Sequence, residues 1–451
     1  MAPRASLSGY IELLPAERLV ELHVLDTLRE VFEAHGYSSL ETRAVESVDT
    51  LLQKGEIDKE IYAVSRLQED DDAGGKEAKL ALRFDNTVPF ARFVTENAGH
   101  LNFPFRRYQI QKVWRGERPQ AGRYREFTQA DIDIVGDGRL SSRADVDIAL
   151  VMARALEALE IGSFTLRVNS RKLAEGFYRI LGLEDTAAVL RAVDKLEKIG
   201  PARVAAELAQ TAGATQEQAQ RALDLAQIRT SDTGFADQVR ALIPDDDADT
   251  ALLETGIAEL TEVIRALNEL TPGRAEADLS IARGLDYYTG TVIETVLEGH
   301  EGLGSVCSGG RYESLASTGK RVFPGVGLSI GVTRLLWALL NSGELAASRA
   351  VPSAVYVTLG SEDDWSRAQN VADQLRARGI SAEVALGAEK FGKQIKHADR
   401  HGIPFVWFTD DEGQHEVKDI RSGEQTPADP ASWTPPAEDL TPQIIRRTER
   451  P

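Results

Sequence analysis

The chain contains very little cysteine and an excess of acidic over basic residues. Cys307 is the single cysteine among 451 residues, so no disulfide can form within the chain, and a reducing compartment fits this composition. There are 52 Lys and Arg against 71 Asp and Glu, which gives a formal net charge of −19. Because sequence-independent binding of nucleic acid needs a basic surface, this charge argues against that function, although a local basic face remains possible.

Membrane, secretion, zinc and phosphate-loop signals are also missing from the sequence. No apolar run approaches the roughly 18 residues of a membrane span, and the N-terminal MAPRASLSGYIELLP has no apolar signal core. There is no CxxC pair, no His-rich cluster and no GxxxxGK[ST] loop. The sequence therefore predicts a cytoplasmic protein that does not associate with membranes, and its 42% of apolar residues is enough for sizeable cores.

Helical and strand patterns appear early in the chain. Residues 16–35 carry apolar side chains at helical spacing and precede Gly36, which predicts an amphipathic helix that stops there. Strand patterns at 106–117 and 125–136 flank the loop RPQAGRY. Two long strands around such a loop predict an antiparallel pair.

The middle and the end of the chain differ from this first part. Residues 171–273 are rich in Ala, Leu, Glu and Gln, and they predict a helical insertion. Within it, Gly200-Pro201 can end one helix and begin the next, and Thr215 with Gln218 forms a candidate capping box. Beyond residue 346, strand and helix patterns alternate, which is typical of a small α/β domain.

The strand REFTQADIDIV has one polar and one apolar face. Its alternation places the side chains of Phe127, Gln129, Asp131 and Asp133 on the same side. Such a face suits a pocket for a polar, partly cationic ligand. A half-solvated strand is the alternative, since this alternation is common in antiparallel sheets.

Two arginines could bind an anion. Arg115 shares a strand face with Glu117 and could bind phosphate oxygens bidentately, or it could form a cross-strand ion pair. Arg334 falls in the first turn of a predicted helix, where a cation opposes the helix dipole unless an anion binds there. An exposed arginine is the alternative at that position.

Two further features each allow two interpretations. Cys307 has no base adjacent in sequence, which favours a small buried side chain over a nucleophile. Lys390, Lys393 and Lys396, with Arg400, lie at helical spacing and form a basic face. That face is either simply solvated or a contact for nucleic-acid phosphates.

Five segments of the chain occur in a familiar order: RFDNTVPFAR, WRGERPQAGRYREFTQADIDIVG, ARGLDYYTGTVIE, GGRYESL and GVGLSIGVTRL. Together they resemble the histidyl-tRNA synthetases, a family of class II aminoacyl-tRNA ligases, from about residue 10 to about residue 424. The stretch RGLDYYTGTV is the most specific of the five.

The resemblance implies an α+β fold, in which helices flank the class II antiparallel sheet. The implied domains are a catalytic core at 1–170 and 274–345, a helical insertion at 171–273 and an anticodon-binding α/β domain at 346–424. Beyond them, the segment 425–451 holds six prolines in 27 residues, which predicts a C-terminal tail that is irregular over much of its length. The implied reaction activates L-histidine with ATP and Mg²⁺ to histidyl-adenylate and transfers it to the 3′ end of tRNA(His). The family is typically homodimeric.

The resemblance also implies roles for individual residues. For ATP, it implies Arg115 at the α-phosphate with Glu117 beside it, Phe127 stacked on adenine and Arg334 at the γ-phosphate. For histidine, it implies Asp85, Asn86, Thr87 and Gln129 near the amino group, and Asp133, Tyr288 and Tyr287 at the imidazole. Arg115 and Arg283 are the implied catalytic arginines and also belong to the histidine-binding set. For tRNA, the candidates are Arg118, Gln120 and Arg123 in the loop, and Lys390, Lys393 and Lys396 on the basic face.

The sequence departs from the family pattern at two places, and two other functions are possible. Ala44 stands where the family's dimer-interface segment often has proline, and the chain reads RFDNT (83–87) where many bacterial members read RPEGT. A non-catalytic regulatory subunit of ATP phosphoribosyltransferase would share the fold, but it lacks the anticodon domain predicted here. An amino-acid-binding domain of another class II synthetase is disfavoured by Asp133 and the two tyrosines.

Overall fold

The computed structural model describes residues 7–52, 61–66, 79–243, 249–282, 288–317, 319 and 321–446. The chain divides into two compact units, one comprising Met1–Ile11 and Leu25–Ala338 and the other Glu12–Val24 and Leu339–Pro451. Within the described ranges, none of the helices combines the length and the apolar character that a membrane span requires.

The elements up to residue 341 follow one another in three groups. The first group is α1 Pro15–Ala34, β1 Ser38–Ser39, β2 Val45–Ser47, α2 Val48–Leu52, β3 Ala63–Val64, β4 Leu80–Leu82, α3 Thr87–Asn97, β5 Phe105–Trp114, β6 Glu126–Val135, α4 Arg143–Ala158 and β7 Phe164–Ser170. The second group is α5 Arg171–Ile180, α6 Thr186–Val193, α7 Leu196–Ile199, α8 Pro201–Thr211, α9 Gln216–Ala226, β8 Arg229–Thr230, α10 Phe235–Ala241 and α11 Ala251–Leu270. The third group is β9 Ala275–Asp278, β10 Tyr288–Leu297, β11 Cys307–Tyr312, β12 Gly325–Gly331 and α12 Val332–Asn341.

The main sheet of the first unit is largely antiparallel, as the sequence predicts. Its strand order among the described residues is β1-β5-β6-β12-β11-β10-β7-β9-β8. Strands β5 and β6 pair from Phe105 opposite Val135 to Trp114 opposite Glu126, so the predicted antiparallel pair is confirmed. Only the pairs β1–β5 and β7–β9 are parallel within the described part of this sheet.

Alternation along β6 separates a buried apolar face from a polar one. Ala130, Ile132 and Ile134 are almost completely buried. Helix α4 contacts β6 and β12, and its residues Ile148 and Met152 are fully buried. Burial of this apolar face stabilises the sheet at roughly 25 cal/mol per Å² of apolar surface. It also determines that the alternate, polar side chains of β6 lie on the other side of the sheet.

The helix signals of the early and middle parts of the chain are confirmed. Helix α1 covers the predicted stretch, and Gly36 follows it with φ of 79°. Gly200, with φ of 80°, separates α7 from α8, which has Pro201 as its first residue. The Thr215 side chain accepts from the Gln218 N–H, and the Gln218 side chain accepts from the Thr215 N–H, which completes the predicted capping box of α9.

The second unit alternates strands and helices, as predicted for the α/β domain. Its further elements are β13 Leu345–Ala347, β14 Val355–Val357, α13 Trp365–Ala377, β15 Ala382–Val384, α14 Phe391–His401, β16 Phe405–Thr409, β17 His415–Asp419, β18 Gln425–Pro427 and β19 Ile444–Arg446. The sheet order is β15-β14-β16-β17-β18, and its core is built on buried side chains such as Val355, Val357 and Trp407.

The segment 425–451, predicted to be irregular, contains regular structure in its described part. Strand β18 pairs with β17, and β19 pairs with β13. Between them, the ring of Trp433 lies 5.2 Å from that of Phe405 and 5.5 Å from that of Trp407. Proline content alone predicts irregular chain, but a large aromatic side chain that packs on the unit's core holds this stretch in place. The described part of the tail is therefore irregular over much of its length and ordered into short strands at 425–427 and 444–446.

Candidate active site

A cavity of about 360 Å³ opens over the polar face of the main sheet. It spans β6, β12, β11 and β10, and it also receives the loop that joins β5 to β6. Its lining includes Phe84, Arg115, Glu117, Arg123, Phe127, Gln129, Tyr288, Glu294, Ser308, Ser329 and Arg334. Phe127 and Gln129, two residues of the polar face of β6, are among these lining residues.

Three arginines of the described residues line this cavity. The Arg115 Nε donates to the Phe84 carbonyl oxygen at 3.0 Å, and its guanidinium carbon lies 5.2 Å from the centre of the Phe127 ring. Arg334 lies in the first turn of α12, as predicted, and its Nη1 donates to the Ser305 carbonyl oxygen at 2.7 Å. Arg123 lies 3.7 Å from Glu117. Arginines directed at one cavity are suited to binding phosphate oxygens.

A smaller recess of about 20 Å³ shares Tyr288, Ser308 and Ser329 with the cavity. Both carboxylates of the predicted polar face, Asp131 and Asp133, line it, together with Thr87, Tyr312, Gly327 and Leu328. The Ser329 hydroxyl donates to Asp131 at 2.5 Å and accepts from the Gln129 amide at 3.1 Å.

Asp133 is bound by two side chains that sequence reasoning missed. The Arg107 Nη2 lies 2.6 Å from its Oδ2, and the Tyr312 hydroxyl donates to its Oδ1 at 2.8 Å. A Cβ at Gly327 would lie 2.2 Å from the Asp133 Oδ1, and one at Gly325 would lie 2.5 Å from the Tyr312 ring. The two glycines of β12 therefore leave the space that these side chains occupy. The sequence places Arg107 on the strand that is predicted to pair with β6. Only the register of that strand pair shows that Arg107 lies opposite Asp133.

The segment 85–87 divides into different environments. The Asp85 carboxylate accepts from the Val88 N–H at 3.0 Å and so satisfies an N–H of the first turn of α3. Asn86 is fully buried, and its side-chain oxygen accepts from the Gln109 amide at 3.4 Å. Of the three predicted residues, Thr87 lines the recess, whereas Asp85 and Asn86 do not appear in the lining of either cavity.

The stretch ARGLDYYTGTVIE is described in part. Tyr288 begins β10 and lines both the cavity and the recess. Two residues with predicted roles, Arg283 and Tyr287, lie outside the described residues.

The tRNA candidates lie at the surface of their units. In the loop between β5 and β6, Gln120 and Arg123 exchange backbone hydrogen bonds of 3.1 and 2.9 Å, and the side chains of Arg118, Gln120 and Arg123 are exposed. On α14 and the residue before it, Lys390, Lys393 and Lys396 are all exposed, which confirms the predicted basic face.

Cys307 is buried at the start of β11, as expected for a small core side chain. Burial raises the pKa of its thiol well above the ordinary value, so little thiolate forms near neutral pH. A nucleophilic role has no support in this environment.

Arginines around a cavity, next to a recess with carboxylates, suit the attack of a substrate carboxylate on a phosphate. On an antiparallel sheet flanked by helices, this arrangement fits the class of ATP-dependent amino-acid-activating ligases that the sequence resembles.

Comparisons with known proteins narrow this class. The family model for histidyl-tRNA synthetase matches residues 9–335, and the model for an anticodon binding domain matches residues 354–432. A histidine–tRNA ligase of Micrococcus luteus is 67% identical, over 99% of each chain. The crystal structure of histidyl-tRNA synthetase from Nostoc sp. PCC 7120 matches with a TM-score of 0.82 and 36% identity, over 95% of this chain and 97% of that one.

The chain belongs to the histidyl-tRNA synthetase family, so the predicted family, fold and aminoacyl-tRNA ligase activity are confirmed. A further structure, of an ATP phosphoribosyltransferase regulatory subunit/histidyl-tRNA synthetase from Bacillus halodurans C, matches with a TM-score of 0.72 over 88% of this chain and 97% of that one. At 21% identity, this likeness concerns the fold alone. The comparisons support the ligase and not the regulatory-subunit alternative.

Proposed function

We propose that the chain is an ATP-dependent histidine–tRNA ligase that forms histidyl-adenylate and transfers histidine to the 3′ end of tRNA(His). The observation that carries this proposal is the junction of two spaces on one sheet face. The cavity is lined by Arg115, Arg123 and Arg334, and it adjoins the recess that holds Asp133 and Tyr288.

The cavity would hold ATP. Arg115 would bind the α-phosphate, Phe127 would stack on adenine and Arg334 would bind the γ-phosphate. Their common placement around one cavity of about 360 Å³ supports these roles. Mg²⁺ would enter with the ATP phosphates, and the carboxylates of Glu117 and Glu294 offer the oxygen ligands that this ion prefers.

The recess would hold the histidine side chain. The Asp133 carboxylate would accept a hydrogen bond from an imidazole N–H, and the Tyr288 hydroxyl would form a hydrogen bond with the other ring nitrogen. Thr87, Gln129 and the region of Asp85 and Asn86 would lie near the amino group. The family motif adds Arg283 and Tyr287 to this set, both outside the described residues.

Activation requires two anions to approach each other. A histidine carboxylate oxygen attacks the α-phosphorus, the bond to the bridging oxygen breaks, and pyrophosphate leaves. Arg115 and Arg283 would stabilise the charge that develops on the α-phosphate, and loss of one such donor typically costs about 2.7–4 kcal/mol. In the second step, the terminal ribose hydroxyl of tRNA attacks the adenylate carbonyl carbon, and AMP leaves.

Two surfaces would serve tRNA. The loop with Arg118, Gln120 and Arg123 lies at the mouth of the cavity, since Arg123 lines it, and it would approach the acceptor end. The basic face of Lys390, Lys393 and Lys396 falls within the range of the anticodon-domain match and would contact tRNA phosphates. We also propose a cytoplasmic homodimer, consistent with the single buried cysteine and the family's usual state.

The test is amino-acid-dependent ATP–pyrophosphate exchange, measured with each of the twenty amino acids. We expect exchange with histidine alone, and a loss of about 100-fold or more in an Arg115→Ala variant. Histidine binding without exchange in the unaltered protein would favour the regulatory-subunit alternative. Exchange with another amino acid would show that the recess is wrongly assigned.

A further inference from the structure

Arg107 is a fully buried cation beside one of the carboxylates of the recess. Its side chain is completely buried on β5, directly opposite Asp133 on β6. Its Nη2 lies 2.6 Å from the Asp133 Oδ2, and its guanidinium carbon lies 4.2 Å from the centre of the Phe90 ring. The ring and the carboxylate together hold the guanidinium in one place.

A buried ion pair of this kind often contributes little to the stability of the fold. Desolvation of two charges can exceed their mutual attraction, and apolar side chains of similar volume often stabilise a core as well or better. Here the carboxylate of the pair also lines the recess, with its other oxygen fixed by the Tyr312 hydroxyl at 2.8 Å. The pair therefore presents a fixed carboxylate to the recess.

The charges around Asp133 determine what this carboxylate can bind. The charged or titratable groups of the described residues that face it include Arg107 on β5, Tyr312 on β11, Tyr288 on β10 and Asp131 on β6 itself. Strand β12 contributes Gly327, which has no side chain. Arg107 balances the charge of Asp133.

We propose that Arg107 is a specificity residue that makes the recess take the neutral imidazole ring of histidine in preference to the imidazolium. The inference rests on the proposed function. A neutral ring donates one N–H to Asp133 and keeps a lone pair that can accept from a tyrosine hydroxyl. An imidazolium has no lone pair to accept with, and it would place a second cation beside the Arg107 guanidinium.

The experiment compares two substrates in pyrophosphate exchange between pH 5.5 and 7.5. One is histidine, and the other is 1,2,4-triazolyl-3-alanine, whose ring keeps the N–H but stays neutral throughout this range. The ratio of their kcat/KM values cancels the titration of ATP, of the α-amino group and of other enzyme groups. Because the imidazole pKa is roughly 6.5, we expect the ratio to fall about tenfold from pH 7.5 to 5.5 in the unaltered protein.

Variants assign the effect to Arg107. In Arg107→Met, Asp133 is no longer balanced and can pair with imidazolium, so we expect the ratio to change less than about twofold over the same range. Arg107→Lys keeps the cation and should keep the fall, with a raised KM for histidine. Arg106→Met is the matched control, since the neighbouring Arg106 side chain pairs with Asp147 instead. This control should titrate like the unaltered protein.

The outcomes separate the inference from the proposed function. If the unaltered protein shows no histidine-dependent exchange at pH 7.5, the proposed function fails. If it shows exchange but the ratio stays constant down to pH 5.5, the inference alone is overturned. A folded Arg107→Met variant whose ratio still falls tenfold also overturns it. If that variant does not fold by circular dichroism, Arg107→Gln takes its place with the same expected result.

Discussion

At the residue scale, the site depends on side chains that act through other side chains. Asp133 is held by Arg107 and Tyr312, and Gln129 and Asp131 are linked through Ser329. Burial and the neighbouring Asp133 raise the pKa of the Tyr312 phenol, so its hydroxyl keeps its proton at neutral pH and remains a donor. The recess is therefore prepared before a substrate enters.

The first prediction at this scale concerns Tyr312→Phe. The substitution keeps the ring and removes the hydroxyl that donates to Asp133 at 2.8 Å. An acceptor left without its partner costs about 1–3 kcal/mol, so we expect the KM for histidine to rise about 5- to 150-fold. The KM for ATP should not change, because the hydroxyl lies in the recess and not in the arginine-lined cavity.

Pyrophosphate exchange at varied histidine and ATP concentrations measures both constants. Tyr178→Phe is the matched control, since this buried tyrosine lies on α5 and lines neither the cavity nor the recess. An unchanged KM for histidine in Tyr312→Phe would contradict the assigned role.

At the element scale, some of the fold could be predicted from the sequence and some could not. The β5–β6 pair and the α9 capping box follow from local patterns, namely alternation along a strand and Thr215 three residues before Gln218. The position of Arg107 opposite Asp133 depends on the register, which packing across the whole sheet decides. The helix cap formed by Asp85 could not be predicted either, since a carboxylate before a helix can bind the helix N–H groups or a ligand.

The glycines of β12 show the same limit and allow a prediction. Gly327 lies within β12, where a side chain would meet Asp133, and this contact depends on the register of β12 against β6. In Gly327→Ala the new Cβ would lie 2.2 Å from the Asp133 Oδ1, so the carboxylate must move. Because a displacement of about 1 Å can cost about 100-fold in rate, we expect kcat/KM for histidine to fall at least that much.

The control for this substitution is Gly302→Ala. Gly302 is exposed in the turn Glu301–Leu303, and a Cβ there meets nothing within 4 Å. Both variants should be compared by pyrophosphate exchange and by thermal unfolding. A Gly327→Ala protein with the exchange activity of Gly302→Ala would show that Asp133 does not need its observed position.

At the scale of the whole molecule, charge poses a problem for a protein that acts on tRNA. The net charge of −19 repels a polyanion on average, so favourable contacts must come from local basic surfaces. The exposed lysines at the start of α14 form one such surface. Lys390 and Lys393 lie at the helix N-terminus, where cations oppose the helix dipole, and bound phosphate would relieve that cost.

The last prediction reverses the charge of this surface with Lys393→Glu and Lys396→Glu together. Each lost phosphate contact weakens binding and lowers the salt dependence, so we expect the aminoacylation KM for tRNA to rise about tenfold or more near 0.1 M salt. The slope of log KM against log salt concentration should fall by about one per lost contact. Histidine-dependent pyrophosphate exchange should not change, because it requires no tRNA.

The neutral double variant Lys393→Gln and Lys396→Gln separates the loss of positive charge from the gain of negative charge. It removes two positive charges without adding negative ones, so its KM for tRNA should lie between those of the unaltered protein and the glutamate pair. A general loss of folding would lower exchange and aminoacylation together, whereas a lost tRNA contact lowers aminoacylation alone. An unchanged KM and salt slope in the glutamate pair would leave the basic face as an ordinary solvated surface, and another part of the chain would have to bind tRNA.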